Sequence, residues 1–246
     1  MNSLPVLFLR SLLFYTGYGS GTILMSSLFL LVGPFLPERG RYQYTATWCR
    51  WVLAWLKISC GVKCNIAGVD RLPGTPVVLV ANHQSSWETL LFYQLVSPVA
   101  PILKKELLSI PFWGWALRLS KPIAIDRSKP REAGKSLLTQ GVSRIREGFS
   151  IIVFPEGTRS SVTVNRKFSR GAAKLAVEGG VPILPVAHNA GHCWPPGRFL
   201  KYPGVITVVI GDPLPTDNQE PDKLTGVAEA WIRQQMSGFA NPGNRV

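Results

Sequence analysis

Two short polar turns contain the residue types that most often do chemistry. They have the sequences NHQSSWE, at residues 82–88, and FPEGTRS, at residues 154–160, and each directly follows a run rich in β-branched residues. Such runs predict strands, and open α/β sheets carry their reactive groups at the carboxyl ends of strands. The sequence therefore predicts that the two turns meet in one pocket.

The first turn has a histidine followed by a carboxylate, His83 and Glu88. If a helix begins near Ser85, the carboxylate returns to the imidazole and bonds one ring nitrogen, which leaves the other nitrogen free as a base. This is the orienting half of a hydrolase triad without its serine, suited to activating a hydroxyl that the substrate supplies. On this motif alone, the alternative of a hydrogen-bonded structural histidine stays open.

The second turn offers groups that bind phosphate. Gly157 permits close approach of the backbone, and Thr158 supplies a hydroxyl. Arg159 presents a fork of donors that matches the oxygens of a phosphate. The alternative is a surface turn in which Glu156 and Arg159 simply pair with each other.

Further cations accompany these turns. Arg127 follows a predicted strand at residues 123–125, and Lys104 and Lys105 add two more positive charges. Together with Arg159 they form a set that a phosphomonoester would use and a small uncharged substrate would not need.

The composition favours a membrane surface as the anionic partner. The 27 Lys and Arg residues outnumber the 14 Asp and Glu residues, which gives a net charge of +13. The hydrophobic fraction is 46%, the charged fraction is 17%, and the mean hydropathy is +0.14. These values exclude intrinsic disorder, and the sequence lacks the dense basic helix or motif of a nucleic-acid binder. We therefore expect no nucleic-acid partner.

The first part of the chain predicts contact with lipid. Residues 11–37 contain no charged residue and no histidine, a stretch longer than the ~20 residues of a spanning helix. The stretch either spans the bilayer or bends at the glycines of residues 17–21 into two short helices within one leaflet. The greater positive charge after this stretch than before it places the remainder in the cytoplasm.

An aromatic pattern follows the apolar stretch. Aromatic residues recur at intervals of three and four beside several cations, as in a helix that lies at headgroup depth. The four aromatic residues are Tyr44, Trp48, Trp51 and Trp55. The alternative is a core helix of the following domain. We predict a membrane-associated helical segment over residues 1–62 and an α/β domain over residues 63–246.

The α/β domain is predicted from β-branched runs that alternate with helical stretches. The predicted strands are Val77–Ala81, Ile123–Ile125, Ser150–Phe154, Ile183–Val186 and Val205–Ile210, and the predicted helices are Glu88–Leu95, Arg131–Arg146 and Gly171–Glu178.

No metal site is predicted. Four cysteines in a chain of this length are too few for a disulfide scaffold and are expected to be reduced thiols. Cys60 with Cys64 lacks further ligands nearby, and His188 with His192 and Cys193 lacks an evident fourth ligand. We interpret the second group as part of a loop that forms a pocket wall.

Five blocks of the sequence resemble one known family. They are NHQSSWE, KKELLSIPFWGW, IAIDR, FPEGTRS and VPILPVAHNAG, in this order, and the resemblance covers about residues 77–190. They are similar to the motifs of the glycerolipid acyltransferases, specifically the bacterial 1-acyl-glycerol-3-phosphate acyltransferases. The resemblance implies a mixed β-sheet flanked by helices. Glu88 stands where the family usually has Asp, which lengthens the side chain by one methylene and keeps its charge.

The resemblance also implies roles for individual residues. His83 is expected to be the general base, and Glu88 is expected to orient it. The implied substrate-binding residues are Lys104, Lys105, Arg127, Glu156, Gly157, Thr158 and Arg159, with Arg159 on the phosphate of the acyl acceptor.

The implied reaction needs no cofactor. A fatty acyl group passes from acyl-CoA or acyl carrier protein to the free hydroxyl of lysophosphatidic acid, at the cytoplasmic face of a bacterial inner membrane. A different acceptor, such as a lyso-ornithine lipid or glycerol 3-phosphate, and a non-catalytic lipid-binding protein of the same fold are the alternatives. The intact His83, the acidic Glu88 and the complete FPEGTRS block argue against the non-catalytic alternative.

Overall fold

The computed structural model describes residues 3–126, 128–164 and 166–239. These residues form a sheet with the strand order β1-β7-β6-β2-β5-β3-β4. The strands are β1 (Val62–Ala67), β2 (Val78–Ala81), β3 (Val99–Lys104), β4 (Ile123–Ile125), β5 (Ser150–Val153), β6 (Ile183–His188) and β7 (Gly204–Ile210). Strands β6, β2, β5, β3 and β4 run parallel, whereas β7 is antiparallel to β6 and carries β1 parallel to itself. The sheet is therefore mixed, which confirms the predicted fold class.

Helices cover both faces of the sheet. They are α1 (Leu4–Val32), α2 (Glu38–Cys60), α3 (Trp87–Leu95), α4 (Trp113–Leu119), α5 (Pro130–Arg146), α6 (Gly171–Gly179) and α7 (Pro221–Ser237). Because successive residues of a strand point to opposite faces, Leu79 of β2 packs in the core with α1, α2 and α3, whereas Val80 packs in the core with α5, α6 and α7. The central strand β2 is buried along its whole length.

The predicted strands and helices are present, with small differences at their ends. Four elements were not predicted: β1, β3, α4 and α7. The edge strand β1 exposes Lys63, Cys64 and Asn65, so its burial pattern is not that of a strand with one apolar face. Strand β3 contains Pro101, a residue that argues against a strand in the sequence alone.

Helix α1 is continuous through the glycines of residues 17–21, so the alternative of two short helices is wrong. Within the described residues, Leu4–Phe35 is the one segment long and apolar enough to cross a membrane, by length and composition alone, and 17% of its most apolar window is buried. The free side of α1, which does not pack against the rest of the protein, exposes apolar side chains that include Leu9, Leu24 and Leu31.

The glycines of α1 permit close contact with α2 rather than a bend. A Cβ atom at Gly17 would lie 2.3 Å from Nε1 of Trp55, and one at Gly21 would lie 2.1 Å from the ring of Trp51. Nε1 of Trp55 also donates a hydrogen bond of 3.1 Å to the carbonyl of Phe14. The aromatic face of α2 thus packs against α1, which corrects the expectation of an aromatic face turned to lipid.

Gly17→Ala is expected to destabilise the protein by about 1–3 kcal/mol, because the new methyl group overlaps the ring of Trp55. Thermal unfolding of the detergent-solubilised protein measures the effect. Gly19→Ala is the matched control, since a Cβ at Gly19 meets nothing within 4 Å. The control should leave stability unchanged or raise it slightly. Equal melting temperatures for the two variants would contradict the packing role.

The predicted boundary at residue 62 coincides with the start of β1. Apolar residues of α2, such as Val52 and Leu56, belong to the same core as Leu79 of the sheet. The packing is thus continuous across the boundary, and the division into two parts stays a prediction.

Candidate active site

The two polar turns lie side by side because β2 and β5 are adjacent parallel strands. Each turn leaves the carboxyl end of its strand. The amide of His83 donates a hydrogen bond of 3.0 Å to Oε1 of Glu156, and the amide of Ser160 donates one of 2.8 Å to the carbonyl of His83. The two turns are therefore joined at one edge of the sheet, as the sequence predicted.

His83 and Glu88 form a buried hydrogen-bonded pair. Helix α3 begins at Trp87, and its first turn brings Oε1 of Glu88 to 2.8 Å from Nδ1 of His83. The same carboxylate oxygen accepts hydrogen bonds from the amides of Gln84, at 3.0 Å, and Ser85, at 2.8 Å. Among the described residues, Oε2 of Glu88 has no partner. The carboxylate is thus held at one oxygen by three donors.

The charge state of Glu88 determines which ring nitrogen of His83 carries the proton. Full burial alone would raise the pKa of Glu88, but the hydrogen bonds from His83 and from the Ser85 amide help to lower it. An ionised Glu88 accepts a hydrogen bond, so we assign the proton to Nδ1 of His83. Nε2 of His83 then carries a lone pair and is suited to act as a base.

The plane of the imidazole is fixed by a ring that the sequence analysis did not single out. His83 stacks on Phe154, with ring centroids 3.9 Å apart and an angle of 11° between the planes. Phe154 is the first residue of the FPEGTRS block, directly after β5. With Glu88 at its edge and Phe154 on its face, the imidazole is held in one orientation.

A second histidine, His188, forms hydrogen bonds with Asn82, the residue before His83. The side-chain amide of Asn82 donates to the carbonyl of His188 at 2.9 Å, and the amide of His188 donates to Oδ1 of Asn82 at 3.1 Å. Nδ1 of His188 accepts a bond from the amide of Ala190, so Nε2 donates to the carbonyl of Asn82 at 2.8 Å. Burial lowers the pKa of His188, and the neutral ring fits this pattern. These bonds hold the main chain of Asn82, which precedes His83, in place.

The loop after His188 forms a pocket wall, as the sequence interpretation proposed. His192 lines a cavity of about 190 Å³, and Trp194 lines another. Among the described residues, no group of three His, Cys, Asp or Glu side chains is arranged to hold a metal ion.

Glu156 does not pair with Arg159. Its carboxylate instead bonds the amide of His83, and burial raises its pKa. Within the described ranges Arg159 has no ion pair, so the alternative of a simple surface pair is wrong. Gly157 closes the turn with φ +74°, a conformation that other residues rarely adopt, and its amide bonds the carbonyl of Phe154 at 3.0 Å. Thr158 and Arg159 are exposed.

A cavity of about 320 Å³ adjoins both turns. Ser86 of the first turn and Arg159 of the second turn line it, and Tyr15 of α1 forms part of its wall. The remaining lining residues are Trp194, Pro195, Pro196, Gly197, Arg198 and Phe199. The cavity thus lies between the sheet edge that carries the two turns and the apolar helix α1.

Lys104 and Lys105 lie at the carboxyl end of β3, on the same edge of the sheet. Both are exposed, and Lys105 is close enough to Asp126 to act on it electrostatically. Neither lysine lines the cavity at Arg159. The predicted Arg127 lies outside the described residues.

The chain is similar to known acyltransferases. Residues 63–189 match a family described as Acyltransferase. The 1-acyl-sn-glycerol-3-phosphate acyltransferase of Pseudomonas aeruginosa is 40% identical over 97% of this chain and 94% of its own length. The enzyme of the same name from Saccharomyces cerevisiae is 32% identical over 93% of this chain and 76% of its own length.

A solved structure has the same fold. The crystal structure of the 1-acyl-sn-glycerophosphate (LPA) acyltransferase PlsC from Thermotoga maritima matches with a TM-score of 0.78 and 26% sequence identity. The match covers 93% of this chain and 94% of that chain.

Proposed function

The chain belongs to the acyltransferase family, and from this premise we propose that it is a 1-acyl-sn-glycerol-3-phosphate acyltransferase. It moves a fatty acyl group from acyl-CoA or acyl carrier protein to the sn-2 hydroxyl of lysophosphatidic acid and so forms phosphatidic acid for phospholipid biosynthesis. The observation that carries the proposal is the His83–Glu88 pair, bonded at 2.8 Å at the sheet edge that also presents Arg159.

The proposed reaction is direct transfer. Nε2 of His83 takes the proton of the acceptor hydroxyl as its oxygen attacks the thioester carbonyl carbon. The tetrahedral intermediate collapses, the carbon–sulfur bond breaks, and the imidazolium returns its proton to the leaving thiolate. Glu88 stabilises the imidazolium that forms in between. A thioester is already activated, so orientation of two substrates and removal of one proton are the main tasks of the protein.

We assign the turn of Glu156, Gly157, Thr158 and Arg159 to the acyl acceptor. Arg159 lines the cavity next to the His83 turn, and its guanidinium has donors that fit the phosphate of lysophosphatidic acid. Lys104 and Lys105 lie at the end of β3 on the same edge of the sheet, and we propose that they, together with Arg127, add to the positive potential at the phosphate.

Helix α1 supports association with a membrane, and we propose that it lies along the surface of one leaflet. Contacts with the rest of the protein occur along its length: Oγ of Ser11 accepts a bond of 2.8 Å from the amide of Lys201, and Gly33, directly after the helix, lies against Leu119. A helix attached at both ends keeps its exposed apolar side toward lipid. We propose the cytoplasmic face of a bacterial inner membrane as the location, with residues 1–62 as the membrane-associated part.

An acyl-transfer assay tests the proposed function. The detergent-solubilised protein is given labelled acyl-CoA, or labelled acyl carrier protein, with lysophosphatidic acid, glycerol 3-phosphate or a lyso-ornithine lipid as acceptor. We expect labelled phosphatidic acid, with lysophosphatidic acid as the best acceptor. Product with another acceptor alone would replace the acceptor assignment, and no product with any combination would favour the non-catalytic lipid-binding alternative.

Arg159→Gln is expected to raise the KM for lysophosphatidic acid about 10- to 100-fold with a smaller change in kcat, because a charge-assisted bond to the phosphate is lost. Steady-state kinetics at varied acceptor concentration measure the effect. Arg146→Gln, at the end of α5 that precedes β5 and therefore at the opposite edge of the sheet from the two turns, is the matched control and should behave like the wild type. An unchanged KM for Arg159→Gln would contradict the phosphate role.

A further inference from the structure

Arg198 and Arg159 line the same cavity without a counter-charge. No described residue that lines the cavity is Asp or Glu. Within the described ranges, neither guanidinium forms a hydrogen bond or an ion pair, whereas Arg144 and Arg233 pair with Glu147 and Glu229. Two cations at one cavity repel each other, so an anion that enters is attracted by both.

We propose that Arg198 is a second phosphate-binding residue of the acyl-transfer site and that it binds, together with Arg159, the phosphate of a substrate. This inference rests on the proposed function and deepens it. Arg198 follows the residues that match the Acyltransferase family, which end at residue 189.

The position of the cavity fits a phosphate close to the reacting hydroxyl. Ser86 of its wall is three residues after His83, and the turn of Arg159 is bonded to the carbonyl of His83 through the amide of Ser160, at 2.8 Å. In lysophosphatidic acid only two carbon atoms separate the phosphate oxygen from the sn-2 hydroxyl. A phosphate held in this cavity therefore keeps the hydroxyl near the base.

The wall that carries Arg198 is fixed by a buried lysine. Nζ of Lys201 donates to the carbonyl of Arg198 at 2.8 Å and to that of Phe199 at 2.9 Å, and it lies 4.8 Å from the ring centroid of Tyr15. Burial lowers the pKa of Lys201 to about 8, which still leaves it mostly protonated at neutral pH. The loop is thus held against α1 before the substrate binds, while the side chain of Arg198 stays exposed.

The apolar helix beside the cavity favours the lysolipid as the source of the phosphate. Tyr15 of α1 lines the cavity, and the free side of α1 exposes Leu12 and Leu13. A lipid can therefore present its phosphate to both arginines while its acyl chain stays in the bilayer. The phosphates of coenzyme A are the other source of the same chemistry.

Equilibrium binding in detergent micelles tests the proposal. Arg198→Gln should weaken binding of lysophosphatidic acid about 10- to 100-fold and leave binding of monoacylglycerol, its phosphate-free match, unchanged. The variant should fold, because the side chain of Arg198 bonds no other described residue. Arg198→Lys should give an intermediate loss, since it keeps the charge without the fork. Arg146→Gln is again the control.

The same measurement distinguishes the two sources of phosphate. A loss confined to acyl-CoA, with acyl-pantetheine as its phosphate-free match, would assign the bound phosphate to the donor. If Arg198→Gln binds all four ligands as the wild type does, the proposal is overturned. Binding needs no turnover, so a wild type that binds lysophosphatidic acid but transfers no acyl group would remove the proposed function and leave the Arg198 result interpretable.

A double-mutant cycle tests whether the two arginines share one phosphate. Residues that bind the same group couple, so Arg198→Gln should cost less in the Arg159→Gln background than in the wild type. Fully additive losses would overturn the shared phosphate.

Discussion

Replacing His83 by alanine is expected to lower kcat for acyl transfer by about 10²- to 10⁴-fold, the usual contribution of a general base. The imidazole accepts the proton of the attacking hydroxyl, and the neighbouring Glu88 is held at one oxygen that already accepts three bonds. Steady-state assays of the purified protein, with lysophosphatidic acid and labelled acyl-CoA, measure the loss.

The variant should remain folded and attached to the membrane. After the substitution, Oε1 of Glu88 still accepts bonds from the amides of Gln84 and Ser85, so the buried charge keeps two of its donors. His83→Gln is the matched variant, because its side-chain amide can donate to Glu88 but cannot take up a proton. We expect both variants to be equally inactive. Retention of more than a tenth of the wild-type kcat by either variant would exclude His83 as the base.

The parts of the site that could be predicted are those whose geometry depends on residues close together in the sequence. The bond between His83 and Glu88 follows from a strand end, a short turn and the first turn of a helix, all of which are local. Strand order decides whether the two turns are direct neighbours. The turns that follow parallel strands nevertheless lie at the same edge of the sheet, whatever the strand order. These two features sufficed to propose a base next to a phosphate site.

The remaining parts depend on contacts between residues that are distant in sequence. Asn82 and His188 are 106 residues apart, and their reciprocal bonds exist only because β6 lies next to β2. The packing partner of the tryptophans in α2 was likewise not predictable from the sequence near them. A stripe of aromatic residues fits lipid and a glycine-bearing helix equally well, and only the three-dimensional packing pairs Trp51 with Gly21.

Glu88→Gln is expected to lower kcat by about 10²- to 10⁴-fold, while Glu88→Asp keeps more activity than Glu88→Gln. A glutamine amide can donate to Nδ1 of His83, which places the ring proton on Nε2 and removes the lone pair that the base needs. It also carries no charge to stabilise the imidazolium. Aspartate keeps the negative charge on a side chain that is one methylene shorter. The difference in kcat between the two variants therefore separates the effect of the charge from the effect of side-chain length.

The pH dependence of stability gives a second readout of the same carboxylate. The pKa of Glu88 is lowered in the folded protein relative to its ordinary value of about 4.3, so the ionised group stabilises the fold above that pH. This stability is lost as the pH falls through the lower, folded-state pKa. Thermal unfolding between about pH 6 and pH 3 should therefore show a smaller acid-induced fall for Glu88→Gln than for the wild type.

Glu147→Gln serves as the control for the acid-induced fall in stability, because Glu147 is exposed and pairs with Arg144 near the end of α5. Its acid-induced fall should match that of the wild type, since exposed pairs contribute little. An identical fall for the wild type and Glu88→Gln would mean that Glu88 is not preferentially ionised in the fold, and the assignment of the proton to Nδ1 of His83 would lose its basis.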